Sequence, residues 1–305
     1  MGIAEIILSI LGLCLFEVVS SIDNAVVNAD VLATMEKKWR KWFLIWGIFI
    51  AVFLVRGFLP LLIVWMCYPS MGLWGAFTAS FHSDPAVHEA LERSSPLLLM
   101  GGGIFLVLLF LHWLFLEEKA FGLRVEKFFS RQGVWFFALS SMLLSVVIWQ
   151  ALKLDPMLAF AASIGSSVFF ITHGFKEQAA KAEAMLIKNN NLSDISKLVY
   201  LEVLDTTFSI DGVIGAFAFT MSVPIILLGN GLGAVVVREL TIHGVERIKN
   251  YPYLKNGAMY SIFFLGMIML LEGFHIEISP YIAPLTTFVV IGFFFWKTVR
   301  EQKKG

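Results

Sequence analysis

Nine apolar runs, each near the length that crosses a bilayer, divide this chain: residues 4–29, 43–66, 97–116, 134–152, 157–175, 198–222, 224–240, 257–274 and 281–297. A transmembrane helix needs about 20 such residues, and an α-helix satisfies every backbone hydrogen bond within its own segment, as lipid requires. The expected fold is therefore all-α: a polytopic membrane helix bundle of about nine transmembrane helices, forming one integral membrane domain over residues 1–305. Composition agrees, since charged residues make up 15%, against about 25% in a soluble domain. Mean hydropathy is +0.80. Residues 3–29 lack the basic start of a signal peptide, and Glu17 and Asp23 interrupt them.

The placement of charge sets the expected orientation. Basic residues gather in alternate connections: Lys37 to Lys41, Lys119 to Arg131, Lys176 to Lys197, Arg238 to Lys255, and Lys297 to Lys304. Those segments hold twenty of the 23 Lys and Arg residues. The positive-inside rule places them in the cytoplasm, with the amino terminus outside and the carboxyl terminus inside. Nine spans satisfy both ends, which is the reason to keep the short run at 224–240. Trp39, Trp42, Trp113, Trp135 and Trp296 fall near inner ends, and Trp65, Trp74 and Trp149 near outer ends, as an interfacial belt. The lipid bilayer is thus one expected partner. No basic-aromatic patch points to nucleic acid, no Walker A pattern to nucleotide, and no nucleophilic triad to an enzyme.

Two acidic segments stand inside the apolar runs. Glu17 precedes Asp23 by six residues, and Asp205 precedes Asp211 by six; both aspartates follow Ser-Ile. Carboxylates at membrane depth cost about 2.5–3.5 kcal/mol each on insertion scales and default to a functional reading. With the amino terminus outside, the two segments cross in opposite directions, the mark of an inverted-topology repeat with substrate at its midplane. The first repeat begins with 4–66 and the second with 198–240. Arg56 and Arg238 occupy matching places in them.

Acids facing each other make a cation site. Glu17 and Asp23 lie about 120° apart on a straight helix. Either the helix opens near Ser20-Ser21, where side chains compete for backbone hydrogen bonds, or several helices surround the ion. Glu202 and Asp205, spaced i, i+3, share a face. The expected oxygen ligands are Glu17, Asp23, Asn24, Glu202, Asp205 and Asp211, with Thr206 and Ser209 adding neutral oxygens and Arg56 and Arg238 neutralising part of the charge. Such a donor set suits Mn²⁺, Mg²⁺ or Ca²⁺. Crowded carboxylates raise one another's pKa, so metal entry would expel protons. No prosthetic group is expected; the cation is cargo. The competing reading makes these acids structural partners of the two arginines.

Other signals are weaker. Asp30 and Asn28 would line an inner entrance or the interface. Cys14 stands where Glu202 stands in the second segment and reads as a small buried residue. His82, Asp84, His88, Glu89 and Glu92 cluster outside, where Asp84-Pro85 reads as an ordinary helix start. His112 and His173 read as separate interfacial residues. Gly101-Gly102-Gly103 and the stretch Gly229 to Gly233 read as close-packing surfaces of membrane helices.

Three places resemble the TerC family of bacterial membrane proteins: Glu17-x5-Asp23-Asn24, Asp205-x5-Asp211-Gly212, and the carboxyl end from His243-Gly244-Val245 through Glu272-Gly273-Phe274-His275-Ile276. Spans one, two and six to nine match in order, on a chain longer than the family's usual seven spans. The resemblance implies a fold related to the LysE-type exporters and, for several members, export of Mn²⁺ from the cytoplasm. It would make Glu17, Asp23, Asp205 and Asp211 the ion ligands, with Asn24 beside them. Gly212 departs from the family, which tends to carry Ser or Ala there. A scaffold or stress-complex protein with a structural metal is the alternative function.

Overall fold

A computed structural model describes residues 2–47, 85–119, 121–188, 193–243 and 251–303, with isolated positions between 50 and 75. Among the described residues there is no strand. The helices are α1 (Ile3–Ser20), α2 (Ile22–Ala33), α3 (Lys37–Trp42), α4 (Pro85–Leu116), α5 (Arg124–Phe129), α6 (Val134–Ala151), α7 (Pro156–Lys188), α8 (Asp194–Ala216), α9 (Val223–His243), α10 (Leu254–Gly273) and α11 (Ile282–Gln302).

Seven of the described helices are long and apolar enough to cross a membrane: Ile3–Ser20, Ser95–Leu116, Val134–Ala151, Pro156–Lys176, Val223–Thr241, Leu254–Gly273 and Ile282–Gln302. Two of the nine expected spans are absent from this set for different reasons. The run at 43–66 falls largely outside the described residues. The run at 198–222 is α8, a 23-residue helix whose composition is spoiled by Lys197, Glu202, Asp205 and Asp211. Exposed Val134, Trp149, Phe160, Phe175 and Val289 give the outside of the bundle the apolar skin that lipid demands.

Glycines set the spacing at the centre. Gly101 and Gly103 on α4 lie against α7 and α10. A methyl group at Gly101 would stand 3.0 Å from the Ala161 carbonyl, and one at Gly103 would stand 3.0 Å from the Gly266 carbonyl. Gly229 and Gly233, four residues apart on α9, receive Leu13 and Glu17 of α1 in the same way. Small residues let helix backbones approach where lipid offers no hydrophobic drive, so both glycine stretches are packing surfaces. Around them a core of Leu106, Phe105, Phe169, Val213, Leu265 and Met269 is closed to solvent.

The contact order fixes helix directions. Gly212 and Gly215 of α8 and Phe219 just beyond it meet Glu17, Phe16 and Gly12 of α1, so α8 runs against α1. Gly229 meets Leu13 and Gly233 meets Glu17, so α9 runs with α1. Phe105 meets Phe169 and His112 meets His173, so α4 and α7 run together. Gly273 meets Met100 and Gly266 meets Leu106, so α10 opposes α4.

Candidate cation site

The first acidic segment does open where its serines stand. α1 ends at Ser20, and Ser21 leaves the helical region with φ −92° and ψ 2°. The Ser20 hydroxyl donates to the Glu17 carbonyl at 3.3 Å, and the Ser21 hydroxyl donates to Glu17 Oε1 at 2.6 Å. Hydroxyls that bond the preceding turn offer the backbone an alternative to the helix ladder. The chain then restarts as α2, with Asp23 and Asn24 in its first turn.

Glu17 is only 1% exposed. Its carboxylate sits in a niche with glycine on two sides. A methyl group at Gly212 of α8 would stand 3.0 Å from Glu17 Oε2, and one at Gly233 of α9 would stand 2.6 Å from Glu17 Cβ. Gly212, the departure from the TerC pattern, is thus the point where the buried oxygen comes in. Gly233 is ten residues into α9, roughly 15 Å along its axis, so Glu17 lies deep in the bundle.

Asp211 precedes Gly212 and makes an ion pair with Lys176 of α7; their side chains are 16% and 13% exposed. Lys176 reads in sequence as the first charge of a cytoplasmic loop. α7 instead continues to Lys188 and keeps Lys176 within the bundle. Among the described residues, buried Asp211 Oδ1 has no hydrogen-bond partner.

Glu17, Ser21, Lys176, Ser209 and Asp211 line one cavity of about 540 Å³. Glu117 and Lys255 also border it, paired at 2.8 Å with both side chains about two-fifths exposed. They put its mouth at the end of the bundle where the basic segments gather. His112 and His173 form part of the same wall, their ring centroids 3.8 Å apart. They are one pair across two parallel helices, which no local spacing announces. A second cavity, of about 650 Å³, lies at the other end and is bordered by Glu5, Glu272, His275 and Glu277.

The remaining expected residues divide. Glu202 Oε1 and Arg238 Nη2 both crowd Gly47, where a methyl group would overlap the carboxylate and stand 2.6 Å from the guanidinium. Arg238 is 8% exposed, donates to the Phe43 carbonyl and lies 4.1 Å from the Phe43 ring centroid. Glu202 and Arg238 therefore meet at the π-helical segment Phe43–Gly47 that follows α3, not beside Glu17. Arg56 and the side chains of Asp23, Asn24, Asp30, Asp205 and Thr206 lie outside the described residues, as do those of the outer cluster from His82 to Glu92. α4 does open at Pro85. Among the described residues no three His, Cys, Asp or Glu side chains converge as a metal centre. Glu17 and Asp211 offer oxygens only, which suits a hard cation.

Lys119 closes the connection after α4. Its ammonium lies 3.6 Å above the Trp113 ring centroid and bonds the Trp113 carbonyl. Burial, the largest cause, pushes its pKa down to about 8. Glu126 of α5 is wholly buried and accepts from Asn256 Nδ2 at 2.7 Å and from the Leu123 amide at 2.8 Å. Burial raises its pKa, and those hydrogen bonds oppose the rise.

The family model described as "Protein of unknown function (DUF475)" matches residues 22–305. The chain belongs to the DUF475 family. That match, and not TerC, is what comparison returns, so the TerC likeness rests on the quoted motifs alone. This DUF475 chain is 29% identical over 112 residues to YceF of Bacillus subtilis (strain 168), described as an uncharacterized membrane protein; the match covers 34% of this chain and 44% of that one. It is 29% identical over 121 residues to RP786 of Rickettsia prowazekii (strain Madrid E), also described as an uncharacterized membrane protein, covering 38% and 39%. The match spans less than half the length of each relative. No solved structure matches. Seven apolar helices and membrane-protein relatives make this DUF475 member a multi-pass membrane protein.

Proposed function

We propose that this chain is a secondary transporter of the bacterial inner membrane that exports a divalent metal cation, Mn²⁺ first, in exchange for protons. The observation that carries the reading is the meeting of Glu17 and Asp211 on one cavity, delivered by helices that run in opposite directions. A carboxylate as deeply buried as Glu17 is expensive to keep in a membrane and has a use there. Asp23, Asn24 and Asp205 would complete the oxygen set, since each belongs to the same two segments. The cavity's charged mouth would admit the ion from the basic side, and the acid-lined cavity at the other end would release it. Opposed acidic helices and the direction of α9 are what an inverted repeat of nine spans requires. Glu202 and Arg238, crowding Gly47, would fix α8 and α9 to the π-helical segment after α3. Export of Mn²⁺ by several members of the TerC family, which the acidic motifs resemble, supports the choice of metal.

The test is flux. Purified protein in liposomes that enclose a Mn²⁺-quenched dye should quench on Mn²⁺ addition and shift the internal pH at the same time. Glu17→Gln and Asp211→Asn should each abolish quenching while retaining the parent's elution profile. Mn²⁺-dependent stability without flux in the parent would replace the carrier with a scaffold built on a structural metal.

A further inference from the structure

We propose that Lys176 is a tethered stand-in for the transported ion: its ammonium occupies Asp211 while the site is empty, and a divalent cation must displace it to bind. The inference deepens the transporter reading and rests on it.

The geometry supplies each part. The ammonium and the Asp211 carboxylate form an ion pair whose side chains are 13% and 16% exposed, inside the cavity that Glu17 also lines. One Asp211 oxygen is engaged by Lys176, while the other is buried and has no hydrogen-bond partner among the described residues. The described charged groups around the cavity are Glu17, Glu117 and Asp211 against Lys176 and Lys255, and Glu117 and Lys255 already pair with each other. Among the described residues, Glu17 and Asp211 thus set two carboxylates against the single ammonium of Lys176.

Charge selection follows from this arrangement. A monovalent cation at Asp211 would only exchange one unit charge for another and would lose its water in doing so. A divalent ion brings a second unit to the same two carboxylates, and the Coulomb attraction between close charges grows with that product. Lys176 therefore sets a threshold that sodium and potassium do not pass and that a divalent ion does. Lys176 itself gives up no proton in the step. The ammonium keeps its charge, and its four-carbon stem carries it toward the charged mouth, the way long cationic side chains reach polar surroundings from apolar ones.

The experiment uses the full chain in detergent, MnCl₂ as probe, and two readouts. Amine acylation of Lys176, followed by peptide mass spectrometry, should rise severalfold when Mn²⁺ saturates the parent. In Lys176→Gln, Mn²⁺ should bind about tenfold or more tightly, the loss of a competing charge being worth at least one decade. NaCl at 100-fold excess over Mn²⁺ should then weaken binding in the variant but not in the parent. Unchanged acylation in a parent that binds Mn²⁺ overturns the inference and leaves the transporter reading standing; this readout needs no variant and holds if Lys176→Gln does not fold. Equal or weaker Mn²⁺ binding by a folded Lys176→Gln overturns it as well. A parent that binds no Mn²⁺ overturns both.

Discussion

Replacing the two members of the Lys176–Asp211 pair, singly and together, gives a direct measure of what the pair contributes to the empty protein. At hydrogen-bonding separation and an effective dielectric constant near 20, two unit charges attract by roughly 5 kcal/mol. Withdrawal of both ions from water opposes that attraction. The side chains are 13% and 16% exposed and border a cavity, so neither limit of full burial nor full solvation applies. Asp211→Asn takes the Asp211 carboxylate from the Lys176 ammonium in a mostly buried place, and Lys176→Gln takes the ammonium from the carboxylate. Each should cost about 2–4 kcal/mol, somewhat under the 3–5 kcal/mol of a fully buried pair. The double variant removes both charges, so the coupling between the two changes should be about 2–3 kcal/mol. The assay is denaturant unfolding in micelles followed by tryptophan fluorescence, for which the chain's nine Trp residues provide signal. A coupling below about 0.5 kcal/mol, the level of an exposed ion pair, would refute the pairing and with it the charge accounting of the cavity.

Other outcomes can be checked separately. Gly165→Ala would drive a methyl group into the Gly101 carbonyl and to 2.8 Å from Gly101 Cα; the forced separation of α4 and α7 should outweigh the helix-propensity gain and cost about 2–3 kcal/mol. Gly174→Ala, with nothing within 4 Å, should gain up to about 1 kcal/mol, and thermal unfolding of the two variants should move in opposite directions. Asn256→Leu removes the amide from the buried Glu126 carboxyl and should cost about 1–3 kcal/mol in the same measurement. Lys119 has a folded pKa of about 8, below its ordinary 10.5. The unfolded chain therefore holds a proton there that the folded chain releases, and stability contributed by this group should rise as pH climbs from about 8 to 10.5. The midpoint of unfolding should rise with pH across that window more steeply in the parent than in Lys119→Gln, and equal slopes would count against the burial of the ammonium.

Sequence made the apolar helices legible because length and hydropathy are local properties. It also marked the opening at Ser20-Ser21, since two adjacent hydroxyls one turn after a carboxylate carry their own reason to disturb the helix. The glycine stretches were legible for a similar reason, as runs of missing side chains. Partnership across helices was not. Lys176 and Asp211 are 35 residues apart, and Lys176 resembles a loop charge because α7 outruns the membrane to Lys188. His112 and His173 join only because α4 and α7 are parallel, a fact of topology with no periodic signature. Glu202 shares its helix with Asp211, yet nine residues separate them and Glu202 is drawn to Arg238 and Gly47 instead. Counting acids and arginines left out Lys176, the cation that Asp211 meets.

α4 is notched against α7 at Gly101 and Gly165 and against α10 at Gly103 and Gly266, main chain resting on main chain. At Gly101 and Gly165 only main chain meets main chain, whereas the Leu270, Leu106 and Val107 side chains share the α4–α10 seam, so α4 and α7 are the pair with least room to move against each other. α1 meets α8 and α9 with side chains laid into glycine hollows, as Phe16 does at Gly215 and Leu13 at Gly229. In the transporter proposed above, rocking that exposes Glu17 first to one face of the membrane and then to the other would part α1 from α8 and α9 at these hollows.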